Sequence, residues 1–255
     1  MNADRPLLRY FGSKYRMAPK IISLMPKHES FVDAMGGGAN VILAKEPVKV
    51  NVYNDIYDEV YNLFYQLRNH PYELIQLIML TPYSRMEHTE SLRRDDNPSD
   101  LERARRVFVE SHLSLQGIGV KNAPCNFRLY RTGNQVSFPS ITCLYYYAER
   151  MRNILLERLD VLDVVDKYDS PSTLFYIDPP YLKYGDDYVC GFSLEDHIRL
   201  AKKLYGVRGY VMVSAKWSGL YEHLYDGWVW YDIPTRSLSH NVSMEHVICN
   251  YELDI

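Results

Sequence analysis

The sequence predicts an α/β fold built on a parallel sheet, and three observations lead to that prediction. Short apolar strands alternate with amphipathic, helix-like stretches along the chain. Several of these strands end directly on glycines or acidic residues. The chain has 255 residues, 47% hydrophobic and 24% charged, which suits one large domain or a core domain that carries an insertion.

The first strands and helices follow one another in the order that a parallel sheet requires. Ser30–Ala34 is predicted to be a buried first strand, and a helix is expected from about Ala39 to Ala44. Val48–Asn54 alternates between apolar and polar residues, so it predicts a second strand, which ends at Asp55. Ile56–Arg68 has the 3.6-residue apolar spacing of a helix.

The second half of the chain continues the same alternation. Thr173–Ile177 and Gly209–Ser214 are rich in β-branched and aromatic residues, and the periodic stretch Leu194–Tyr205 between them predicts a helix. Trp228–Ile233 and His246–Glu252 are predicted to be two closing strands, which we expect to form an antiparallel pair at one edge of the sheet.

The pattern changes between about Pro71 and Asp166, where Leu101–Leu115 is helical and turn-forming glycines and prolines follow. From Arg85 to Arg152 there are 11 Lys and Arg against 8 Asp and Glu, whereas the whole chain has a net charge of −3. This asymmetry suggests that the insertion, and not the core, meets any polyanion. A solvated surface with uneven charge explains the numbers equally well.

Composition excludes several classes of protein. The beginning of the sequence has no apolar run typical of a signal peptide, and no stretch of about 18 apolar residues predicts a membrane span. We therefore expect a cytoplasmic protein. The four cysteines lack the spacing of metal ligands, so we expect reduced thiols and no metal; they are Cys125, Cys143, Cys190 and Cys249.

The strongest chemical signal is Asp178-Pro179-Pro180-Tyr181 at the end of a hydrophobic strand. Proline lacks an N–H and restricts its own backbone and the residue before it, so two prolines form a rigid turn. The Asp178 carboxylate and the Pro179 carbonyl are then two fixed acceptors beside the Tyr181 ring. This arrangement suits an exocyclic amino group on a planar base, although a simple strand-ending turn explains the same residues.

Two further segments are typical of a nucleotide-like ligand. Asp33 and the glycines that begin at Gly36 end the first strand in a tight turn that a ligand can approach, and Asp55 ends the second strand, where an acid can accept from ribose hydroxyls. A strict G-x-G-x-x-G is absent, which disfavours a nicotinamide cofactor. Before the first strand, Tyr10 and Lys14 flank another glycine turn, which on its own is not specific.

In this order, the segments resemble the Dam-type adenine-specific DNA methyltransferases, of the D12 class and α-group. The resemblance extends from Leu8 to about Tyr251 and implies a seven-stranded, mostly parallel, Rossmann-like methyltransferase sheet with an inserted, largely helical target-recognition region. It divides the chain into an S-adenosylmethionine-binding catalytic domain, residues 1–70 and 155–255, and a recognition insertion, residues 71–154. The implied reaction is methyl transfer from S-adenosylmethionine to N6 of an adenine that has left the duplex.

The resemblance also implies roles for individual residues. Asp178, Pro179, Pro180 and Tyr181 match the catalytic turn that holds the target base. The implied cofactor site consists of Tyr10, Lys14, Asp33, Gly36, Gly37, Asp55, Asp160 and Asp178. In the family, the acid that corresponds to Asp160 is usually followed by phenylalanine, whereas this chain has Val161.

The implied partner is double-stranded DNA, and the segment from Phe127 to Pro139 resembles the DNA-contacting hairpin of the family. In it, Arg128 and Arg131 are suited to guanine edges or phosphates, and Asn134 to adenine. Two alternatives stay open: another amino-methyltransferase, for example on N4 of cytosine, and a DNA-binding homologue without catalysis. The sequence does not determine the oligomeric state, and a monomer is compatible with it.

Overall fold

Seven strands form one sheet in the computed structural model of this chain. The structure describes residues 5–94, 96–119, 125, 138–182, 189–236 and 242–253. The strands are β1 Ser30–Asp33, β2 Val50–Asn54, β3 Leu155–Glu157, β4 Thr173–Ile177, β5 Tyr210–Ala215, β6 Val229–Arg236 and β7 Val242–Cys249. Their spatial order is β3-β2-β1-β4-β5-β7-β6.

The sheet is parallel except at one edge, where β7 runs antiparallel to both β5 and β6. The order of the strands reverses between β1 and β4, which are direct neighbours in the sheet. The helices that follow two such strands lie on opposite faces, so a crevice opens beyond their carboxyl ends. The predicted α/β fold with a mostly parallel, seven-stranded sheet is therefore confirmed.

Helices cover both faces of the sheet. Those described are α1 Ala18–Ser23, α2 Asn40–Ala44, α3 Asp58–Asn69, α4 Pro71–Leu80, α5 Arg85–Ser91, α6 Asp100–Leu113, α7 Ile141–Met151, α8 Val161–Tyr168, α9 Leu194–Leu204 and α10 Gly219–Leu224. One core contains side chains of α1, α2, α3, α4, α6 and α7, together with strand side chains such as Phe31 and Tyr176. The other joins α8 to α10 with alternate strand residues such as Val32 and Phe175. This alternation is the two-residue period of strands buried on both faces.

The sequence prediction missed one strand and gave incorrect bounds for the two closing strands. Strand β3 has only three residues and begins with the exposed Leu155 at the edge of the sheet, so it lacks a clear strand pattern. The two closing strands differ from their predicted bounds: β6 extends to Arg236 instead of Ile233, and β7 begins at Val242 instead of His246. Cross-strand pairing thus extends both strands beyond their apolar residues.

Helices α4, α6 and α7 pack on α3, which follows β2, and share its apolar core, while α5 packs on α6. Several arginines in this region are held in ion pairs: Arg103 pairs with Asp58, Glu59 and Asp100, and Arg106 pairs with Asp96. Part of the basic excess in the sequence is therefore used within the fold.

Asn54, the last residue of β2, connects three segments at the carboxyl edge of the sheet. Its buried side-chain amide donates to the carbonyls of Ala34 (2.8 Å) and Leu159 (3.1 Å), and its oxygen accepts from the Leu159 N–H (2.8 Å). These bonds fix the backbone before α8 against the ends of β1 and β2.

We predict that Asn54→Ala lowers the free energy of unfolding by about 2–4 kcal/mol, because it leaves buried backbone groups without partners. Urea denaturation followed by circular dichroism measures this loss. Asn69→Ala is the matched control, since the Asn69 amide bonds only to the carbonyl of Tyr65 on an exposed surface. Equal stability of the two variants would contradict the role assigned to Asn54.

Candidate active site

A cavity of about 320 Å³ lies beyond the carboxyl ends of β1, β2 and β4, where the strand order reverses. Eight residues expected at a cofactor site line it together: Tyr10, Lys14, Asp33, Gly36, Gly37, Asp55, Asp160 and Asp178. The fold thus brings together residues that are up to 168 positions apart in the sequence. The prediction that these residues share one site has a geometric basis.

The glycine turn after β1 allows close approach on both of its sides. A methyl group on Gly36 would lie 2.4 Å from Cε2 of the Tyr53 ring, which is fully buried in the core below the turn. The Tyr53 hydroxyl donates to the carbonyl of Gly37 (2.7 Å), so the ring cannot move away freely. Gly37 has φ +48° and lies against the Tyr10 ring. Both positions therefore require glycine, one for space and one for backbone conformation.

Asp55 is hydrogen-bonded to the same glycine turn. One carboxylate oxygen accepts from the N–H of Gly37 (2.7 Å), and the other accepts from the N–H of Tyr57 (2.8 Å) at the start of α3. Burial raises the pKa of Asp55 to about 6, although these two N–H groups oppose the rise. The carboxylate keeps free lone pairs toward the cavity, so it can accept from hydroxyl groups.

Asp33 ends β1 and is almost completely buried. Its Oδ1 has no hydrogen-bond partner among the described residues. Burial, and then the negative charge of Asp178, raise the pKa of Asp33 to about 8, while a hydrogen bond from the Ile42 backbone opposes this. A buried acceptor without a partner is costly in the absence of a ligand, so this oxygen is suited to a cationic or hydrogen-bonding group.

The corner after β4 places Asp178 opposite Lys14. Lys14 Nζ lies 2.7 Å from Oδ1 and 2.8 Å from Oδ2 of Asp178, and it also donates to the carbonyl of Gly12 (3.1 Å). Burial raises the pKa of Asp178, and the positive charge of Lys14 opposes the rise. Although burial alone would lower the pKa of Lys14, the neighbouring carboxylates, Asp178 foremost, raise it above its ordinary value.

The two ends of the proline corner have different surroundings. Asp178 and Pro180 line the cavity, whereas Pro179 and Tyr181 are not among its lining residues. The Tyr181 ring lies beside the corner with Lys14 Nζ 5.0 Å from its centroid, and its buried hydroxyl has no partner among the described residues. The ring therefore stays close to Asp178 through their common contact with Lys14.

The turn before α9 closes the cavity from the other side. Phe192 lines the cavity and packs edge-on against the ring of His197, at 4.6 Å between centroids. His197 lies 2.9 Å from the Tyr221 hydroxyl, and burial lowers its pKa to about 4, so it is neutral. Ser193 caps α9 in a capping box with Asp196. These contacts give His197 a structural role.

Three segments meet at the mouth of the cavity. The N–H of Phe11 donates to Ile118, and the N–H of Ile118 donates to Arg9, so the N-terminal segment and the end of the α6 segment form a short bridge. The Val189 N–H then donates to the carbonyl of Gly119 (3.0 Å). The mouth is thus built from three parts of the chain that are far apart in sequence.

Some expected residues have less direct support. Asp160 caps α8 by accepting from the N–H of Leu162 (2.8 Å) and lines the cavity from its exposed rim. The residues expected to contact DNA, Arg128, Arg131 and Asn134, lie outside the described residues. Their role stays a prediction.

Sequence reasoning missed several residues at the site. Phe192, Asn40 and Ile56 line the cavity, and Glu245 on β7 lies 3.5 Å from Lys14 Nζ. No local motif marks Glu245, which precedes the predicted closing strand His246–Glu252 and lies inside the observed β7. In the described part of the chain, no cluster of three or more His, Cys, Asp or Glu is arranged to hold a metal ion. None of the helices described is long and apolar enough to cross a bilayer.

Comparison with known proteins identifies the family. Residues 10–238 match the family model of D12 class N6 adenine-specific DNA methyltransferases. The type II methyltransferase M1.LlaDCHI of Lactococcus lactis subsp. cremoris is 29% identical over 244 residues, which cover 87% of this chain and 84% of that protein. The type II methyltransferase M.CviBI of Paramecium bursaria Chlorella virus NC1A is 24% identical, covering 88% of each chain.

A longer relative matches only in part. Modification methylase LlaI of Lactococcus lactis subsp. lactis is 27% identical over 191 residues, which cover 71% of this chain and 30% of that protein. The family model spans nearly the whole sheet and every element that lines the cavity. Methyl transfer also implies a methyl donor. The chain therefore belongs to the D12 class of N6 adenine-specific DNA methyltransferases and is a site-specific DNA methyltransferase.

Proposed function

We propose that the cavity binds S-adenosylmethionine and that Asp178 presents the N6 amino group of an extruded adenine to it. The observation that carries this proposal is the position of the Asp178 carboxylate, which faces the same cavity as Asp33, Gly36 and Asp55. Bound S-adenosylmethionine supplies a methyl group on a positively charged sulfur.

The charges of the cavity suit such a cation. Three buried or partly buried carboxylates, those of Asp33, Asp55 and Asp178, face one lysine, Lys14. The unpartnered Oδ1 of Asp33 fits the ammonium of the methionine part. Glycine at positions 36 and 37 lets the Tyr53 and Tyr10 rings pack against the turn that lines the cavity, and the lone pairs of Asp55 fit ribose hydroxyls.

The remaining cofactor contacts follow from the shape of the cavity. Tyr10 covers the glycine turn, and Asp160 lies at the far rim beside Ile56 and Val161, where a base has apolar walls and one acceptor. Lys14 orients Asp178 and contributes to the charge of the site, and it belongs to the cofactor site in that sense.

At the reacting centre, the chain supplies position and electrostatics. The Asp178 carboxylate and the Pro179 carbonyl accept the two hydrogens of the amino group, Pro180 keeps the corner rigid, and Tyr181 stacks on the base. Accepting both hydrogens directs the nitrogen lone pair toward the methyl group. The amino group is paired inside duplex DNA, so the adenine has to leave the stack, which costs a few kcal/mol.

The proposal includes the division of labour along the chain. Residues 1–70 and 155–255 form the catalytic part, and residues 71–154 recognise double-stranded DNA through Arg128, Arg131 and Asn134.

Expression in a host free of DNA methylation, followed by methylation-sensitive sequencing, gives the modified base and its context. N6-methyladenine in one sequence context is expected, and N4-methylcytosine would contradict the proposal.

Asp178→Ala is predicted to lower the rate of methyl transfer by about 10²–10³-fold or more, because a preorganised acceptor at the reacting nitrogen is lost. Cofactor binding is predicted to survive in part, since Asp33, the glycine turn and Asp55 remain. Transfer of tritiated methyl groups to unmethylated plasmid DNA measures the rate. Asp166→Asn is the matched control, because Asp166 pairs with Lys203 outside the cavity. Undiminished turnover by Asp178→Ala would refute the role of Asp178.

Gly36→Ala is predicted to weaken S-adenosylmethionine binding at least tenfold, because the added methyl group overlaps the Tyr53 ring and displaces the turn. Isothermal titration calorimetry measures the affinity. Gly219→Ala is the control, since a methyl group there meets no atom within 4 Å. Similar affinities in the two variants would show that the turn does not hold the cofactor.

Binding of S-adenosylmethionine at pH 7 is predicted to release protons. Asp33, whose pKa is raised to about 8, is mostly protonated in the free protein and ionises when it meets an ammonium group. The released protons are measured by calorimetry in buffers of different ionisation enthalpy, and affinity should rise from pH 6 to pH 7.5. Asp33→Asn should remove most of the release. No proton release by the unaltered protein would contradict the contact between Asp33 and the ammonium.

A further inference from the structure

The Lys14 ammonium is hydrogen-bonded to the Asp178 carboxylate, which is the group that the amino group of the substrate needs. Its Nζ lies within hydrogen-bond distance of both carboxylate oxygens of Asp178, at 2.7 and 2.8 Å. If Asp178 accepts a hydrogen from the adenine amino group, the carboxylate has to turn or share its oxygens. A lysine as buried as Lys14 cannot give up such a contact without another acceptor, because an unpaired buried charge is strongly unfavourable.

Glu245 is a second acceptor beside Lys14. Its Oε1 lies 3.5 Å from Lys14 Nζ, and this buried oxygen has no hydrogen bond among the described residues. Its other oxygen, Oε2, lies 2.9 Å from Lys216 Nζ. The side chain is only 5% exposed, so the carboxylate is fixed close to Lys14 but just beyond hydrogen-bond distance.

The backbone around Glu245 is rigid. Glu245 pairs with Ile233 of β6, and the next residue, His246, pairs with Ala215 of β5. Lys216 directly follows β5 and also donates to the carbonyl of Met244 (2.9 Å). Lys14, Lys216, Asp178 and Glu245 therefore form a chain of alternating charge with no net charge when all four are ionised.

We propose that Glu245 is a positioning residue that takes up Lys14 when the Asp178 carboxylate turns toward the amino group of the substrate base. This inference rests on the proposed role of Asp178. A shift of Lys14 Nζ by well under 1 Å brings it into hydrogen-bond distance of Glu245 Oε1, since typical N–H···O bonds are about 2.7–3.2 Å long. Lys14 then stays paired throughout the reaction, and Lys216 keeps Glu245 in place.

Glu245→Gln tests the role of the charge with a side chain of nearly the same shape. The amide oxygen is a weaker acceptor than the carboxylate, so Lys14 is expected to stay on Asp178. In single-turnover experiments with methyl-tritiated S-adenosylmethionine and unmethylated plasmid DNA, the rate constant should fall at least tenfold. The dissociation constants for S-adenosylmethionine and DNA should change less than twofold. Glu157→Gln is the control, because Glu157 is also ion-paired, with Lys167, but lies outside the cavity.

The outcomes separate this inference from the proposed function. Unchanged transfer by Glu245→Gln, while Asp178→Ala is inactive, would overturn the role of Glu245 alone. Full activity of Asp178→Ala would overturn both. A Glu245→Gln variant that loses cofactor affinity or thermal stability in proportion to its rate would show a merely structural residue and would also overturn the inference.

A structure of the unaltered protein decides the matter even if the variant does not fold. The complex would contain an unmethylated duplex with the recognition sequence and a non-reactive analogue of S-adenosylmethionine. The inference predicts a distance below 3.2 Å from Lys14 Nζ to Glu245 Oε1, and the loss of at least one of the two contacts between Lys14 and Asp178. Both contacts kept, with Glu245 still 3.5 Å away, would overturn it.

Discussion

The contact between Lys14 and Asp178 is the interaction on which the architecture of the site depends. It joins the segment before α1 to the corner after β4, across 164 residues of sequence. Without Lys14, the carboxylate of Asp178 would face Asp33 with no positive charge between them, and mutual repulsion would favour protonation of one of them. A carboxylate is a stronger acceptor than a neutral acid, so in the proposed reaction Lys14 favours the form of Asp178 that binds the amino group best.

The topology of the sheet explains why the site lies where the strand order reverses. Parallel strands direct their carboxyl ends to one edge, so Asp33, Asp55 and Asp178 are brought together by the topology alone. Burial is the main cause of the raised pKa values of Asp33 and Asp55, and repulsion from Asp178 adds to it at Asp33. A cationic ligand relieves that repulsion, and the free energy stored in the crowded acids then favours binding.

Local sequence patterns predicted the parts of the site that depend on one segment at a time. Each of these parts consists of four to eight consecutive residues: the proline corner, the glycine turn and the acid after β2. The alternation of strands and helices was enough to predict the fold class. Glu245, Lys216 and the bonds of Asn54 were not predictable in this way. Their roles depend on which strands become neighbours, and that is determined by the packing of the whole sheet.

The short strand β3 and the length of the β6–β7 hairpin were missed for the same reason. Both depend on hydrogen bonds to a partner strand and not on apolar periodicity. The arginines of α6 illustrate the converse: their charge is visible in the sequence, but their acidic partners come from α3, from the residues before α6 and from α6 itself. Charge counts therefore overstated what this region offers to a polyanion.

The central claim is that Asp178 binds the amino group of the target base, and a thermodynamic cycle tests it most directly. Affinities of the unaltered protein and of Asp178→Asn are measured for two duplexes, one with adenine and one with purine, which lacks the 6-amino group, at the target position. We predict that the unaltered protein prefers adenine by about tenfold, equivalent to about 1.4 kcal/mol, and that Asp178→Asn shows less than a twofold preference. An equal preference in both proteins would contradict the account.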